Sequence, residues 1–261
     1  MWKSKTDKQA GNPGLGGIDD QLRRLSADNR RMFEELDAMQ QRSRSLARSV
    51  WRIQEDERRR LARELHDGVG QSLTALRHRL DRLPSGDQRD ELTEMLVQVI
   101  EDVREMSRLL RPPILDDLGL EPALRWLARR VRESGGPEVS VDAAGLADTD
   151  LEPELETLLF RITQEALNNA VRHAQAANVQ VSGRRLGNRL ELTIRDDGVG
   201  FDPESLRDDP ESAGVGLAGM RDRMALFGGD FALRSAPGQG TTLAIGLTLD
   251  RTSETAGGES Q

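Results

Sequence analysis

The amino-acid sequence predicts a multidomain chain with an N-terminal coiled coil, a helical hairpin and a C-terminal α+β two-layer sandwich. Apolar residues first recur at alternating four- and three-residue steps. They then form the stripes of two helices joined by a short turn, and finally alternate in strands separated by helices. A hairpin alone leaves its apolar stripe in water, so we expect two copies to form a four-helix bundle in a homodimer.

The composition narrows the classes of function. Charged residues make up 31% of the 261 residues and the formal net charge is −8, which argues against a nucleic-acid binder because such proteins are basic. The absence of cysteine excludes disulfides and thiolate metal sites. No apolar run approaches the roughly 18 residues of a membrane span, and no apolar signal segment is visible. We therefore expect a cytoplasmic protein.

The N-terminal part is predicted to be a leader and a signalling helix. Residues 1–17 show no periodicity and are expected to be disordered, whereas residues 18–56 are expected to form the coiled coil. A lone amphipathic helix on a globular core is the alternative. After Ile53 the repeat slips by about one residue before Leu61, and such a slip is a place where a rotation or tilt is passed on. The seam comprises Ile18, Leu22, Leu25, Asn29, Met32, Leu36, Met39, Ser43, Leu46, Val50 and Ile53, with Asn29 suited to fixing register.

Residues 57–115 are expected to form the dimerisation hairpin. Its first helix runs through His66, and residues 84–87 form a turn. The second helix ends before Pro112, since proline lacks the backbone donor. Residues 117–122 are predicted to be a hinge that opens the next domain. The apolar face of the second helix comprises Leu92, Met95, Leu96, Val99, Val103, Met106, Leu109 and Leu110.

Residues 120–250 are expected to form the α+β domain, with one sheet covered by helices on one face. Residues 251–261 are polar and are expected to be a disordered tail. The expected helices cover residues 123–133, 151–173 and 216–227. The expected strands lie around residues 139–141, at 178–184 and 189–195 as one hairpin, and at 230–235 and 241–249 as another.

His66 is the first candidate reactive residue. It lies at the edge of an apolar helical stripe, directly before Asp67, and Gln71 follows Asp67 by one turn. A neighbouring carboxylate can accept one imidazole proton and leave the other nitrogen free to attack. A single helical histidine is more often a surface or packing residue, so the neighbouring motifs decide between these interpretations.

The long helix of the α+β domain offers a second set of candidates. Glu165, Asn169 and His173 lie on one face at i, i+4 and i+8. Such a face can hold a hydrated Mg²⁺ and steer phosphates, with the amide oxygen on the metal and the imidazole on the anion. A solvated helix face has the same spacing.

Glycine-rich segments complete the pattern. The segment from Asp196 to Gly200 ends a strand, where a carboxylate can accept the exocyclic amine of adenine; an ordinary Asp-Gly turn is the alternative. Residues 214–217 (Gly-Val-Gly-Leu) precede a helix whose N-terminus can cradle an anion. Residues 201–213 form a polar loop suited to a lid. Residues 238–242 (Gly-Gln-Gly-Thr-Thr) add a wall of small residues.

The order of these motifs along the chain resembles that of a known protein family, and it is more specific than any single motif. Over roughly residues 54–249, the chain resembles the two-component sensor histidine kinases. It is most similar to the nitrate/nitrite-sensor and DesK-like subgroup, which has a His-Asp phosphoacceptor motif. Residues 59–71 resemble the phosphoacceptor helix of that subgroup, and residues 151–249 resemble the Bergerat (GHKL) ATPase domain that gyrase B shares. Many members carry transmembrane helices and a sensor domain, and this sequence shows neither.

The resemblance implies a protein-histidine kinase that phosphorylates itself from ATP. His66 is then the phosphorylated residue and Asp67 accepts its proton. Phosphate passes to an aspartate on the receiver domain of a cytoplasmic response regulator. Gln71 matches the position that orients water when such a kinase dephosphorylates its regulator.

The resemblance also implies an ATP and Mg²⁺ site in the C-terminal domain. Asn169 then binds Mg²⁺ with the assistance of Glu165, and Asp196 reads adenine. Either His173 or Arg172 serves the phosphates. The pocket and lid are shaped by Gly198, Gly200, Gly214, Gly216, Leu217 and Gly240, with Thr241 supporting Asp196.

Two other functions fit part of the pattern. An ATPase or serine kinase of anti-sigma type would share the pocket but would not need the His66–Asp67 pair. A coiled-coil scaffold with an inactive nucleotide domain would not need Glu165, Asn169 and Asp196 together. Acid-labile phosphate distinguishes a histidine kinase from the first, and ATP binding distinguishes it from the second.

Overall fold

The structure is a computed structural model that describes residues 15–84, 86–146, 149, 151–205 and 215–249. The predicted leader up to residue 14, most of the predicted lid and the predicted tail lie outside these residues. The chain divides into two compact units, residues 1–49 and 50–261. Within the described ranges, no helix combines the length and the apolar character that crossing a membrane requires.

Helix α1 (Leu15–Glu64) begins earlier than the predicted start at Ile18. In the first unit, the described seam side chains are exposed on the single chain, with Met39 and Leu46 each 68% exposed. A helix that keeps an apolar stripe in water gains stability when a second stripe covers it. The coiled coil stays a prediction that this stripe favours.

The helical stem, which consists of α1 and the hairpin, continues directly beyond α1. A π-helical turn (Leu65–Gly70) joins α1 to α2 (Gln71–Leu80), and α3 (Asp87–Leu110) forms the other arm of the hairpin. The hydroxyls of Ser72 and Thr74 donate to the carbonyls of Gly68 and Gly70, each at 2.8 Å. The sequence predicted the hairpin but not the widened turn around His66; such turns are rare and often lie at functional sites.

A short helix precedes the predicted hinge and extends into it. Residues Pro113–Leu118 form a short helix, α4, with proline in its first turn, where no backbone donor is needed. Gly119 then adopts φ 80°, a backbone conformation that favours glycine, and α5 (Leu120–Glu133) begins immediately. The hinge predicted over residues 117–122 is therefore a break at Gly119 between two helices, and the helix that it was predicted to open is α5.

The described residues of the C-terminal domain form five strands: β1 (Glu138–Asp142), β2 (Asn178–Leu186), β3 (Arg189–Asp196), β4 (Asp230–Ser235) and β5 (Thr241–Thr248). They make one sheet in the order β1-β2-β3-β5-β4. The β1–β2 pair is parallel, whereas the β2–β3, β3–β5 and β4–β5 pairs are antiparallel, which confirms both predicted hairpins.

Helices pack on the sheet and form the core that holds the site. Helix α6 (Pro153–Asn169) continues into a second π-helical turn (Ala170–Ala174), and α7 (Val215–Leu226) follows the predicted lid. The α+β two-layer fold is confirmed, with apolar side chains of α5, α6 and α7 meeting alternate residues of the strands. Fully buried side chains include Leu124, Leu158, Phe160, Ile162, Leu190, Leu192, Met220 and Met224.

Replacing Leu192 by alanine should lower the free energy of unfolding by about 2–5 kcal/mol, because the side chain is 0% exposed and leaves a cavity under α6. The matched control is Leu186→Ala, which removes a 59% exposed leucine on the neighbouring strand and should cost less than about 0.5 kcal/mol. Urea unfolding measures both. Equal losses would contradict the assigned core.

Candidate functional site

A cavity of about 410 Å³ opens between α6, the end of β3, α7 and the start of β5. Its apolar wall includes Val179, Ile194, Met220 and Leu243, and its polar groups converge from separate segments. The predicted site residues that line it are Glu165, Asn169, Arg172, His173, Asp196, Gly200, Gly216, Leu217 and Thr241. An apolar cavity with a few convergent polar groups is typical of a small-molecule site.

Asp196 lies in the cavity with one carboxylate oxygen already engaged. Its Oδ1 accepts hydrogen bonds from the backbone N–H of Gly198 at 3.0 Å and of Thr241 at 3.1 Å. The β3–β5 register places Thr241 directly opposite Asp196. The carboxylate is therefore fixed in orientation, which leaves Oδ2 to accept a hydrogen bond from a ligand.

Ser235 supports this arrangement, and sequence reasoning missed it. Its hydroxyl accepts from the Phe201 N–H at 3.0 Å and donates to the Gly240 carbonyl at 2.9 Å. It also lies 3.2 Å from the Thr241 hydroxyl. A serine at a strand end carries no distinctive sequence signal, and its role depends on the pairing of β4 with β5.

Close approaches surround the glycines of the site. A Cβ at Gly200 would overlap the backbone carbonyl of Ala236, and its φ of +60° also favours glycine. At Gly216 the close atom is Oε1 at the end of the Glu165 side chain, which can move aside. Gly198 packs against the Ala174 carbonyl and Gly240 against the Asp196 carbonyl, so both shape the pocket from behind. Gly214 lies outside the described residues.

The Glu165–Asn169 face of α6 offers two oxygen ligands one turn apart. Among the described residues, no three His, Cys, Asp or Glu side chains cluster as a complete metal site. Mg²⁺ suits such a partial set, since it keeps several waters and takes further oxygens from substrate phosphates. His173 and Arg172 both line the cavity, so the choice between them for phosphate contact stays open.

Asp197, for which the sequence predicts only a turn position, anchors the loop to β2. Its carboxylate accepts the backbone N–H groups of Ala177 and Asn178, each at 2.9 Å, and the Asn178 amide at 2.8 Å. The backbone and side-chain hydrogen bonds from Asn178 lower the pKa of Asp197 below its ordinary value.

His66 lies elsewhere, in a separate cleft of about 510 Å³ formed by α1, the π-helical turn, α3 and α4. Asp67 shares this cleft and both side chains are exposed. Gln71, at the start of α2, is exposed but does not line the cleft. No described residue lines both this cleft and the cavity at Asp196.

Asp116 ties α4 to the stem beside His66. It pairs with Arg111 at 2.7 Å and with Arg59 at 3.1 Å. Burial raises the pKa of Asp116, but the hydrogen bond and charge of Arg111, with Arg59, outweigh it and hold the pKa below its ordinary value. Helix α4 is thereby held against α1, next to the π-helical turn that contains His66.

Two protein-family models match the chain. The model described as "Histidine kinase" matches residues 57–115. The model described as "Histidine kinase-, DNA gyrase B-, and HSP90-like ATPase" matches residues 154–252. Together the two matches cover the stem around His66 and the cavity around Asp196.

Named relatives agree with these matches. The sensor histidine kinase MctS of Rhizobium johnstonii is 39% identical over 221 residues, which cover 81% of this chain and 47% of the relative. The oxygen sensor histidine kinase NreB of Staphylococcus carnosus is 36% identical over 213 residues, which cover 79% and 60%. The chain therefore spans less than two thirds of the length of either relative.

A solved structure is also similar. The histidine kinase domain of the blue-light activated histidine kinase EL346 from Erythrobacter litoralis gives a TM-score of 0.46 at 20% identity. The likeness covers 72% of this chain and 94% of that chain.

The Asp197 hydrogen bonds predict a pH-dependent stability. Because the folded-state pKa is lowered, the stabilisation is present above the unfolded pKa, about 3.9, and is lost as the pH falls through the folded value. Asp197→Asn should therefore lower the unfolding midpoint at pH 7, and the difference from the parent chain should shrink below pH 4. Thermal unfolding across pH measures it, with Asp222→Asn on the exposed face of α7 as control. A difference that does not change with pH would contradict the assignment.

Proposed function

Because this chain belongs to the sensor histidine kinases of two-component systems, we propose that it phosphorylates His66 from ATP and passes the phosphoryl group to a response regulator. The observation that carries the proposal is the convergence of Glu165, Asn169 and Asp196 on one cavity. Asp196 on β3 is distant in sequence from the Glu165–Asn169 face of α6, yet both line the one cavity, where a purine nucleotide and its phosphates would use them together.

The cavity suits ATP at both ends. Oδ2 of Asp196 accepts a hydrogen bond from the exocyclic amine of adenine, a group that guanine lacks at that position. The apolar wall covers the base, and the Glu165–Asn169 face of α6 lies toward the phosphates. Asn169 and Glu165 would hold Mg²⁺, which when bound offsets the phosphate charge.

Phosphoryl transfer then requires an activated imidazole. Asp67 accepts one ring proton of His66, and the other ring nitrogen attacks the γ-phosphorus in line with the leaving oxygen. A nitrogen–phosphorus bond forms, the bond from the γ-phosphorus to the bridging oxygen breaks, and ADP leaves. The two clefts have no described lining residue in common, so the C-terminal domain that contains the cavity (the ATP domain) has to approach His66. We place that motion at the break at Gly119.

The phosphoryl group next passes to an aspartate of a receiver domain. The nitrogen–phosphorus bond breaks, an acyl phosphate forms and the imidazole is regenerated. Gln71, exposed at the start of α2, would orient water for dephosphorylation of that receiver. Since the receiver belongs to a cytoplasmic regulator, we assign the reaction to the cytoplasm.

We also infer a homodimer through the coiled coil and the hairpin. Apolar side chains on the outer face of the hairpin are exposed on the single chain, and a second hairpin would bury them as a four-helix bundle. They include Leu76, Leu92, Met95, Val99 and Met106. Neither nucleic acid nor membrane is needed for the reaction.

His66→Gln should abolish incorporation of label from γ-labelled ATP, because glutamine offers no nucleophilic ring nitrogen. His78→Gln, an exposed histidine on α2, is the matched control and should keep the parent rate. The label on the parent chain should be acid-labile and stable to base. Acid-stable label, or label that persists in His66→Gln, would instead indicate a serine kinase or another acceptor.

Asp196→Asn should weaken ATP binding by about 10- to 100-fold, since hydrogen bonds to charged groups contribute about 1.5–3 kcal/mol. The asparagine oxygen can still accept the two backbone N–H groups, so the fold is kept while a donor faces the adenine amine. Asp230→Asn, at an exposed carboxylate of β4, is the control. Calorimetric titration with ATP measures both. Unchanged affinity in Asp196→Asn, or no ATP binding by the parent chain, would refute the assigned site.

A further inference from the structure

We propose that Glu55, Trp51 and Arg161 form a latch that holds the ATP domain on the stem, and that opening this latch is the step that admits ATP to His66. The inference rests on the proposed function for its consequence, but the latch itself is a set of contacts that can be tested without activity. The latch is defined by these three residues with the flanking pair Arg52–Glu154.

The centre of the latch is a buried ion pair between distant parts of the chain. Arg161 on α6 donates to Glu55 Oε2 on α1 from both Nε, at 3.1 Å, and Nη2, at 2.8 Å. Their side chains are only 7% and 8% exposed. Arg161 also donates to the carbonyls of Leu109 and Leu110, where α3 ends. One guanidinium thus holds the ATP domain to both arms of the hairpin.

Trp51 adds an apolar contact one helical turn before Glu55. Its side chain is buried, and its ring meets that of Phe227 edge-to-face at 5.2 Å and 80°. Arg52 pairs with Glu154 at 2.7 Å at the surface. Since residues four apart lie on one helix face, Trp51 and Glu55 dock or leave together when α1 rotates or tilts.

Electrostatics make this contact a switch. Burial lowers the pKa of Arg161, and the hydrogen bond and charge of Glu55 oppose that effect. A buried ion pair repays its desolvation only while both partners are in place, and removing one leaves a buried uncompensated charge. If α1 is displaced, complete separation of Arg161 from Glu55 is therefore favoured over a partly broken ion pair.

Arg223 on α7 connects the latch to the cavity. Its Nε is buried without a hydrogen-bond partner among the described residues. Burial lowers the pKa of Arg223, while the charges of Glu165 in the cavity and Glu55 in the latch raise it. Arg161 itself lies one turn before Glu165 on α6. Glu55 in the latch and Glu165 in the cavity thus act on the same buried guanidinium.

The position of the latch on α1 indicates what opens it. Trp51 and Glu55 lie just before and just after Ile53, the last seam residue before the heptad repeat slips. A rotation passed down the helix changes the face presented at this point. While the latch is closed, no described residue lines both the cavity and the His66 cleft. When it opens, the domain that contains α6 is free to carry the cavity toward His66.

Glu55→Gln tests the latch in the full chain. Acrylamide quenching of Trp51, read in a Trp2→Phe, Trp126→Phe background, should rise because the ring leaves Phe227. The initial rate of autophosphorylation with γ-labelled ATP should rise roughly three- to tenfold. The matched control is Glu57→Gln, two residues along α1, where the exposed glutamate pairs with Arg60 of the same helix. Unchanged quenching, or an unchanged or lower rate of labelling, would overturn the latch.

A cross-link keeps the test decisive if Glu55→Gln lowers folding stability. The chain has no cysteine, so Arg52→Cys with Glu154→Cys can be joined selectively by a reductant-cleavable bismaleimide. The joined chain should bind ATP but lose labelling, and reductant should restore it. Equal labelling in both states would overturn the latch. If quenching follows the prediction but the parent chain is never labelled, the latch contact stands and the proposed kinase function fails.

Discussion

The packing of α6 across the sheet is the constraint on which the rest of the structure depends. The central residues Leu158, Phe160 and Ile162 are fully buried, so the helix can neither rotate nor slide without opening the core. Its remaining faces are thereby assigned. Glu165 and Asn169 face the cavity, and Arg161 faces the stem. A single buried helix therefore determines both the chemistry of the pocket and its connection to α1.

The second constraint is the pairing of β3 with β5. It brings Thr241 beside Asp196 and fixes one carboxylate oxygen, so that the other is presented to a ligand. The sequence predicted both hairpins, because alternation and Gly-containing turns are local signals. It also predicted the charged and polar residues that line the cavity, because each lies in a short motif. It did not predict Ser235 or Asp197, since their partners come from strand pairing between segments far apart.

The contacts between α1 and the ATP domain could not be predicted from the sequence. Glu55 and Arg161 are separated by 106 positions, and neither lies in a motif that differs from an ordinary charged helix. The apolar stripe predicted α1 as a helix, but Trp51 was not part of its seam and its contact with Phe227 carries no local signal. The helix α4 was missed for a related reason: tandem prolines predict a break, yet Pro113 occupies a first helical turn, where proline is tolerated.

The most direct test of the central claim is a crystal structure of the chain with Mg²⁺ and a non-hydrolysable ATP analogue. The packing of α6 predicts the adenine amine within hydrogen-bond distance of Asp196 Oδ2, with the phosphates at the Glu165–Asn169 face. An analogue bound at another surface, or a base whose amine does not reach Asp196, would contradict it.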